Sequence, residues 1–231
     1  MIASENYASS SIREALGSVL TNKYSEGFPG KRYYQGNSVI DKIESLAQER
    51  AQKLFGVPYV NVQPLSGAPA NSAVYLAVLQ NGEKLMGLSL TSGGHITHGH
   101  KLGLSGRLFT FAHYTLGQDG TLNYDEIEKQ VLSEKPQLLI CGFTAYARKI
   151  DFKRFGQIAD KANCYLMADV SHITGLIVAG VHQSPVPYVH IVTTTTHKTL
   201  RGPRGAMIMV TAKGLKKNPD LPKNIETAII P

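Results

Sequence analysis

Hydrophobic and polar positions along this chain follow two different periods. Over residues 37–55 the apolar side chains Ile40, Ile43, Ala47, Ala51 and Leu54 recur every three or four residues, the spacing of one helix face, and Gly56 supplies a stop. The same logic predicts helices over 10–20, 69–79 (opened by Ser66-Gly67-Ala68), 124–134 and 152–162. Between them lie short apolar, β-rich runs predicted as strands: 59–63, 84–89, 108–113, 137–143, 164–168, 189–193 and 206–210. Strands alternating with helices predict an α/β fold whose mainly parallel, mixed sheet is covered by helices on both faces. Ligands of such sheets bind beyond the carboxyl ends of the strands. There are no internal repeats and no low-complexity tract.

Composition narrows this picture only slightly. A chain of 231 residues, 42% hydrophobic and with 22 glycines, suits one α/β domain, or one domain and part of a second. No apolar run approaches the roughly 18 residues of a membrane span, and Met1 to Glu5 lacks the basic and apolar regions of a signal peptide, so no membrane partner is expected. Cys141 and Cys164 both fall in strand-like runs, as buried reduced thiols of a cytoplasmic protein would. The net charge of +7 raises nucleic acid as a partner. Yet the basic residues are scattered, and the one cluster (Lys213, Lys216, Lys217, Lys223) sits in a Gly/Pro/Asn-bearing stretch that reads as a solvated loop. No nucleic-acid partner is expected. An anionic cofactor uses positive potential equally well.

Candidate chemistry concentrates where two predicted strands end. The run Thr193-Thr194-Thr195-Thr196-His197-Lys198 leaves an apolar stretch and enters Arg201-Gly202-Pro203-Arg204-Gly205. A lysine among small hydroxyl side chains at the end of a buried strand is desolvated, and His197, Arg201 and Arg204 add like charge. Both effects lower its pKa, leaving an amine able to form a Schiff base. Alone, such a lysine is more simply a solvated loop residue. Asp169, closing the apolar run 164–168, changes the balance: lysine and carboxylate at neighbouring strand ends are how pyridoxal-phosphate enzymes bracket their cofactor. There the carboxylate keeps the pyridine nitrogen protonated.

Three further segments fit that reading. Ser66-Gly67-Ala68 before a helix offers free N–H groups and a positive dipole end to a phosphate, although small residues there are ordinarily just a cap. The loop 92–100 carries His95, His98 and His100; with no flanking cysteine or carboxylate, a metal site is not expected, and stacking of His95 on an aromatic cofactor is favoured. The polar, aromatic loop 22–34 is a surface loop, a substrate site or a subunit interface.

These phrases together, from IASEN (2–6) through LTNKYSEGFPGKRYY (20–34), NVQPLSGAPAN (61–71), GGHITHG (93–99), DVSHITGLIVAG (169–180) and SPVPY (184–188) to VTTTTHKTLRGPRG (192–205), resemble the serine hydroxymethyltransferases, fold-type I enzymes dependent on pyridoxal 5'-phosphate. The resemblance runs from Ile2 to Pro231. It implies a fold-type I large domain over 37–231, preceded by an arm and dimer loop over 1–36. It also implies reversible transfer of the serine hydroxymethyl group to tetrahydrofolate, giving glycine and 5,10-methylenetetrahydrofolate in one-carbon metabolism. By position, Lys198 resembles the lysine that carries the cofactor as an aldimine, Asp169 the partner of the pyridine nitrogen, and His95 the stacking ring. His172 and Thr144 match groups near the phenolic oxygen, and Ser66, Gly67 and Ala68 the phosphate cup. Glu26 resembles the carboxyl group of proton transfer, Tyr24 and Tyr34 tyrosines lining the site, and Ser4 a serine touching the substrate. Arg204, with Thr195 and His197, matches residues supporting that set. Because the family's tyrosine–glutamate loop comes from the neighbouring subunit, the resemblance implies a homodimer with shared sites.

Departures set further expectations. Ala68 replaces a usual serine, removing one phosphate hydroxyl and weakening cofactor binding. Gln35, Ser38 and Ala206 replace a usual glycine, glutamate and glycine. The chain stops at Ile229-Ile230-Pro231, before the family's C-terminal small domain, and lacks the helix that precedes Ile2, so a fragment with little turnover of its own is expected. Two other readings are a threonine-aldolase-like enzyme, cleaving β-hydroxy amino acids without tetrahydrofolate, and a silent dimerisation module of the same fold.

Overall fold

The computed structural model describes residues 2–230; Met1 and Pro231, the outer bounds of the two expected domains, lie outside the described residues. An exposed N-terminal segment bears α1 (Ser10–Leu16), a 3-10 turn at Val19–Asn22 and a two-stranded hairpin of β1 (Gly27–Phe28) and β2 (Lys31–Arg32). The body follows with α2 (Ser38–Phe55), β3 (Tyr59–Asn61), α3 (Gly67–Val78), β4 (Lys84–Leu88), α4 (Leu104–Leu108), β5 (Thr110–Tyr114), α5 (Tyr124–Glu134) and β6 (Leu138–Cys141). It closes with α6 (Phe152–Lys161), β7 (Tyr165–Asp169), α7 (Thr174–Val178), β8 (Ile191–Thr195), β9 (Ala206–Val210), α8 (Ala212–Lys217) and α9 (Leu221–Ile229).

The sheet has seven strands in the order β3-β9-β8-β7-β6-β4-β5. Strands β4 to β8 pair in parallel, and β9 runs antiparallel to both of its neighbours, β8 and β3. Alternating side chains feed two cores, one on each face. Leu139, Cys141, Leu166, Ala168 and Val192 join the cluster holding Phe152, Phe155 and Ile158 of α6. Leu138, Ile140, Met167 and Ile191 join the cluster holding Ala70, Val74 and Tyr75 of α3. Burial on both faces explains why these strands read as unbroken apolar runs. The chain leaves β4 toward β5 and returns to place β6 on the other side, so the carboxyl ends of β4 and β6 flank a crevice at the switch point.

Helix termini explain most element boundaries. Gly56 ends α2 in the left-handed conformation (φ 67°), its N–H donating to the Gln52 carbonyl at 2.8 Å. Asp151 caps α6 by accepting from the Arg154 N–H at 2.9 Å, and Asn123 caps α5. Several expectations need correction. The helix expected over 10–20 stops at Leu16, where Gly17 breaks it. The strand expected over 108–113 begins at Thr110, because residues 104–108 coil into α4. The strand expected over 189–193 is displaced to Ile191–Thr195, its β-branched threonines extending it toward the crevice. Within the loop expected at 22–34 lies the hairpin β1–β2.

The largest correction concerns 211–229. The lysine-bearing stretch expected as a solvated loop forms α8 and α9. Thr211 caps α8 by accepting from the Gly214 N–H at 3.1 Å, and Pro222 sits in the first turn of α9, where a missing N–H costs nothing. Leu221 and Ile225, one turn apart, are fully buried in the core cluster that contains α3. The lysines point outward: Lys213 pairs with Asp160, and Lys217 lies over the Tyr165 ring. Both cysteines are buried and free, as expected. Among the described residues, no helix is long and apolar enough to cross a membrane.

Two outcomes test this account. Ile225→Ala should cost about 2–5 kcal/mol in urea unfolding, whereas a loop residue would cost almost nothing. His190, 3% exposed, accepts the Leu166 N–H at Nδ1 (2.9 Å), a bond available only to the neutral ring. Burial foremost, with Lys213 and Lys217 nearby, pushes its pKa down to about 4. The unfolded chain therefore binds the proton more readily. Stability is complete above pH 6.5 and falls by on the order of 3 kcal/mol as pH drops toward 4. His190→Asn keeps an acceptor without titrating and should flatten that part of a urea-midpoint-versus-pH curve.

Candidate active site

Asp169 is the last residue of β7, and its carboxylate is charged although buried. Burial is the largest influence and favours the protonated form. It is outweighed by the hydrogen bond and charge of His98 and by the hydrogen bonds of Asn71 and Ser171, which hold the group well below the usual carboxylate range. Oδ1 accepts from Ser171 N–H (3.2 Å) and Oγ–H (2.6 Å); Oδ2 accepts from Asn71 Nδ2 (2.8 Å) and lies 3.3 Å from His98 Nε2. The network reaches further. Thr193 Oγ1 donates to Asn71 Oδ1 (2.8 Å), Asn71 Nδ2 donates to Thr97 Oγ1 (3.0 Å), and Thr97 Oγ1 lies 2.8 Å from His95 Nδ1. Strands β7 and β8, helix α3 and the loop after β4 are thus joined through one carboxylate.

Glycines let these loops approach. A Cβ on Gly142, just beyond β6 and at φ 104°, would lie 2.0 Å from the Asp169 carbonyl oxygen. One on Gly94 would lie 2.0 Å from the Leu88 carbonyl oxygen. The Gly93-Gly94 pair lets the chain turn back directly after β4 and carry His95 into the crevice. The Thr144 N–H fastens the loop after β6 to the Gly93 carbonyl (2.9 Å).

Lys198 lies three residues beyond the end of β8, half-buried, with Nζ 3.1 Å from His172 Nε2. Burial is the main cause lowering its pKa; Asp169 opposes the shift and Arg204 adds to it. Burial, then the Lys198 charge, pushes His172 down to about 4, so at neutral pH its Nε2 accepts from the Lys198 ammonium. His95 is also lowered, chiefly by burial and then by His98. Beside this pair, Ser66 precedes the first turn of α3 and its side chain makes no capping bond. Thr195 Oγ1 and His197 Nδ1 are buried without a hydrogen-bond partner. A Cβ on Gly67 would meet Thr195 Cγ2 at 3.0 Å, a tight contact that would push the threonine methyl aside.

Lys198, Asp169, His172, His95, Ser66, Gly67, Ala68, Thr144, Ser4, Arg204, Thr195 and His197 line one cavity of about 570 Å³. Such a volume suits a small aromatic cofactor. Tyr24, Glu26 and Tyr34 are not part of it. Tyr24 and Glu26 line a second cavity of about 530 Å³ with Lys23, Arg32 and Glu44, and the Tyr24 and Tyr34 rings meet edge to face at 5.7 Å. Both tyrosines are largely exposed. Sequence reasoning passed over His98, Asn71, Thr97 and Ser171. Only His98 carried a visible signal, three residues from His95; the others are ordinary polar residues made important by the fold.

The family model described as serine hydroxymethyltransferase matches residues 1–231. The chain belongs to the serine hydroxymethyltransferase family. It is similar to the serine hydroxymethyltransferase of Desulfotalea psychrophila, 56% identical over 216 residues, or 94% of this chain and 51% of that protein. It is also similar to serine hydroxymethyltransferase 1 of Pseudomonas fluorescens, 50% identical over all 231 residues and 54% of that protein, and to a probable serine hydroxymethyltransferase of Mesomycoplasma hyopneumoniae, 56% identical over 92% of this chain and 51% of that protein. The chain spans about half the length of the curated relatives it matches.

The cavity's electrostatics have a measurable signature. Acylation of Lys198, followed residue by residue by mass spectrometry across pH, should show a midpoint below that of the exposed lysines. Arg204→Gln removes a neighbouring cation and should raise the midpoint by a few tenths of a pH unit.

Proposed function

We propose that this chain is the cofactor-binding half of a pyridoxal-phosphate-dependent serine hydroxymethyltransferase. The whole enzyme exchanges serine and tetrahydrofolate for glycine and 5,10-methylenetetrahydrofolate. One observation carries this: a desolvated lysine amine and a buried, permanently ionised carboxylate share a single cavity with a helix N-terminus and an unpartnered buried hydroxyl. The donor set fits the cofactor. The first-turn amides of α3 at Gly67 and Ala68, with the Ser66 hydroxyl and Thr195 Oγ1, would hold its phosphate. Asp169 would hold the ring nitrogen, His95 a ring face, His172 and Thr144 the phenolic oxygen, and Lys198 the aldehyde carbon. Bound there, pyridoxal phosphate supplies an electron sink for bond cleavage at the amino acid's Cα.

The remaining chemistry belongs to side chains of this chain. Lys198 Nζ, half-buried and 3.1 Å from a neutral imidazole acceptor, gives up its proton more readily than an exposed lysine. Asp169, charged across the whole physiological range, holds a proton on whatever ring nitrogen faces it. Ser4, on the cavity wall, would touch the substrate, and Arg204 and His197, which line the same cavity, would support the residues around His172. Tyr24, Tyr34 and Glu26 lie outside the cavity with exposed side chains, which supports a homodimer in which a second copy brings them to this site. In that reading Glu26 moves the proton of the substrate hydroxyl, the loop 22–34 is the part a second copy supplies, 1–36 is the arm and dimer loop, and 37–231 is the large domain. Nothing in this chemistry calls for a nucleic acid, a membrane or a metal.

Pyridoxal phosphate added to the protein should give a visible absorption band, and borohydride should fix the cofactor on Lys198. Lys198→Ala should abolish both signals. Ala68→Ser should tighten binding about three- to tenfold by restoring one hydroxyl to the phosphate cup. A wild-type protein that shows no band overturns the assignment.

A further inference from the structure

The segment 2–22 is joined to the body by little. Helix α1 has no buried residue, and Tyr7 and Val19 are 94% and 81% exposed. Yet Ile2, Ser4 and Glu5 line the cavity that holds Lys198. Among the described residues, one hydrogen bond links this segment to anything beyond residue 23: Asn6 Nδ2 donates to the Lys198 carbonyl at 3.0 Å, across 192 positions of sequence. The amide's orientation is fixed locally, because Asn6 Oδ1 accepts the Tyr7 N–H at 2.8 Å. Oxygen therefore faces the arm and nitrogen faces the lysine.

The receiving end is just as constrained. The Lys198 carbonyl also accepts the Arg201 N–H at 3.0 Å, closing a turn in which Arg201 takes the left-handed conformation (φ 56°), uncommon for a residue with a side chain. Gly202 N–H donates to the Thr196 carbonyl (2.7 Å), and Thr196 N–H to the Gly205 carbonyl (3.0 Å), so the loop 196–205 folds on itself around the lysine. The Asn6 amide is a bond to that loop from outside it. It acts on the backbone of the residue whose Nζ must stay in register with His172.

We infer that Asn6 is a positioning residue, a clasp that fixes the Lys198 backbone and the arm carrying Ser4 to one another, so that loosening either loosens both. The inference rests on the cofactor assignment above for its consequence, but not for its test. Asn6 is exposed, so its replacement leaves the core intact. Asn6→Asp keeps the acceptor for Tyr7 N–H but turns an oxygen toward the Lys198 carbonyl; Asn6→Ala removes both contacts.

Hydrogen exchange on the full chain, read by mass spectrometry, should show faster exchange at Arg201 and Gly202 in both variants, more so in Asn6→Asp. Exchange in 2–22 should rise with it. Pyridoxal phosphate affinity, measured by absorbance, should fall about fivefold in Asn6→Ala and further in Asn6→Asp. Faster exchange confined to 2–22, with 196–205 unchanged, overturns the clasp and leaves Asn6 as a tether of the arm alone. A wild-type protein that does not bind the cofactor would count against the functional assignment, while the exchange comparison would still decide the clasp.

Discussion

A buried carboxylate that stays charged is the constraint around which this molecule is arranged. Asp169 loses the solvation of bulk water and regains it from donors on three separate stretches of chain: Asn71 of α3, His98 of the loop after β4, and Ser171 just beyond β7. Removing one partner of such a group leaves an uncompensated charge, which costs far more than an ordinary hydrogen bond. The elements that meet at Asp169 are therefore fixed relative to one another before any ligand arrives. Preorganisation of this kind is what a site needs if its charges are not to rearrange during a reaction.

The parallel sheet makes that convergence possible. Loops leaving β4, β6, β7 and β8 all emerge on the same edge, and each brings one or two groups to the crevice: His95 and His98, Thr144, Ser171 and His172, and Lys198. Glycines at 93, 94 and 142 allow neighbouring turns to touch where any side chain would collide with backbone. Electrostatics then divides the labour within a few ångströms. The same burial that keeps His172 neutral also weakens the hold of Lys198 on its proton, whereas Asp169, supplied with donors, goes the other way.

How much of this was legible in the chain varies by feature. The alternation of elements, the buried strands 138–141 and 206–210, and the Gly56 stop follow directly from period and punctuation. So did the pairing of Lys198 with Asp169, because each stands at the end of an apolar run. The stretch 211–229 misled because lysines, Pro222 and Asn218 dominate its composition, while its fully buried apolar side chains are Leu221 and Ile225, with Leu215, Ala228 and Ile229 only partly buried against the same core. Asn71 and Thr97 were illegible for another reason. Their importance comes from contacts with residues many positions away, and no local pattern encodes such a contact.

The Arg32 guanidinium, nearly sealed from solvent, binds Asp41 at 2.8 Å and Glu44 at 2.7 Å and also donates to the carbonyls of Ser25 and Gly27. It rivets the β1–β2 hairpin to the side of α2. The aromatic and acidic tips around that hairpin are thus held on a stiff bracket rather than on a whip. Whatever surface comes to meet them finds a finished shape, and the entropy of arranging it was lost when this chain folded, not when the two bodies touch.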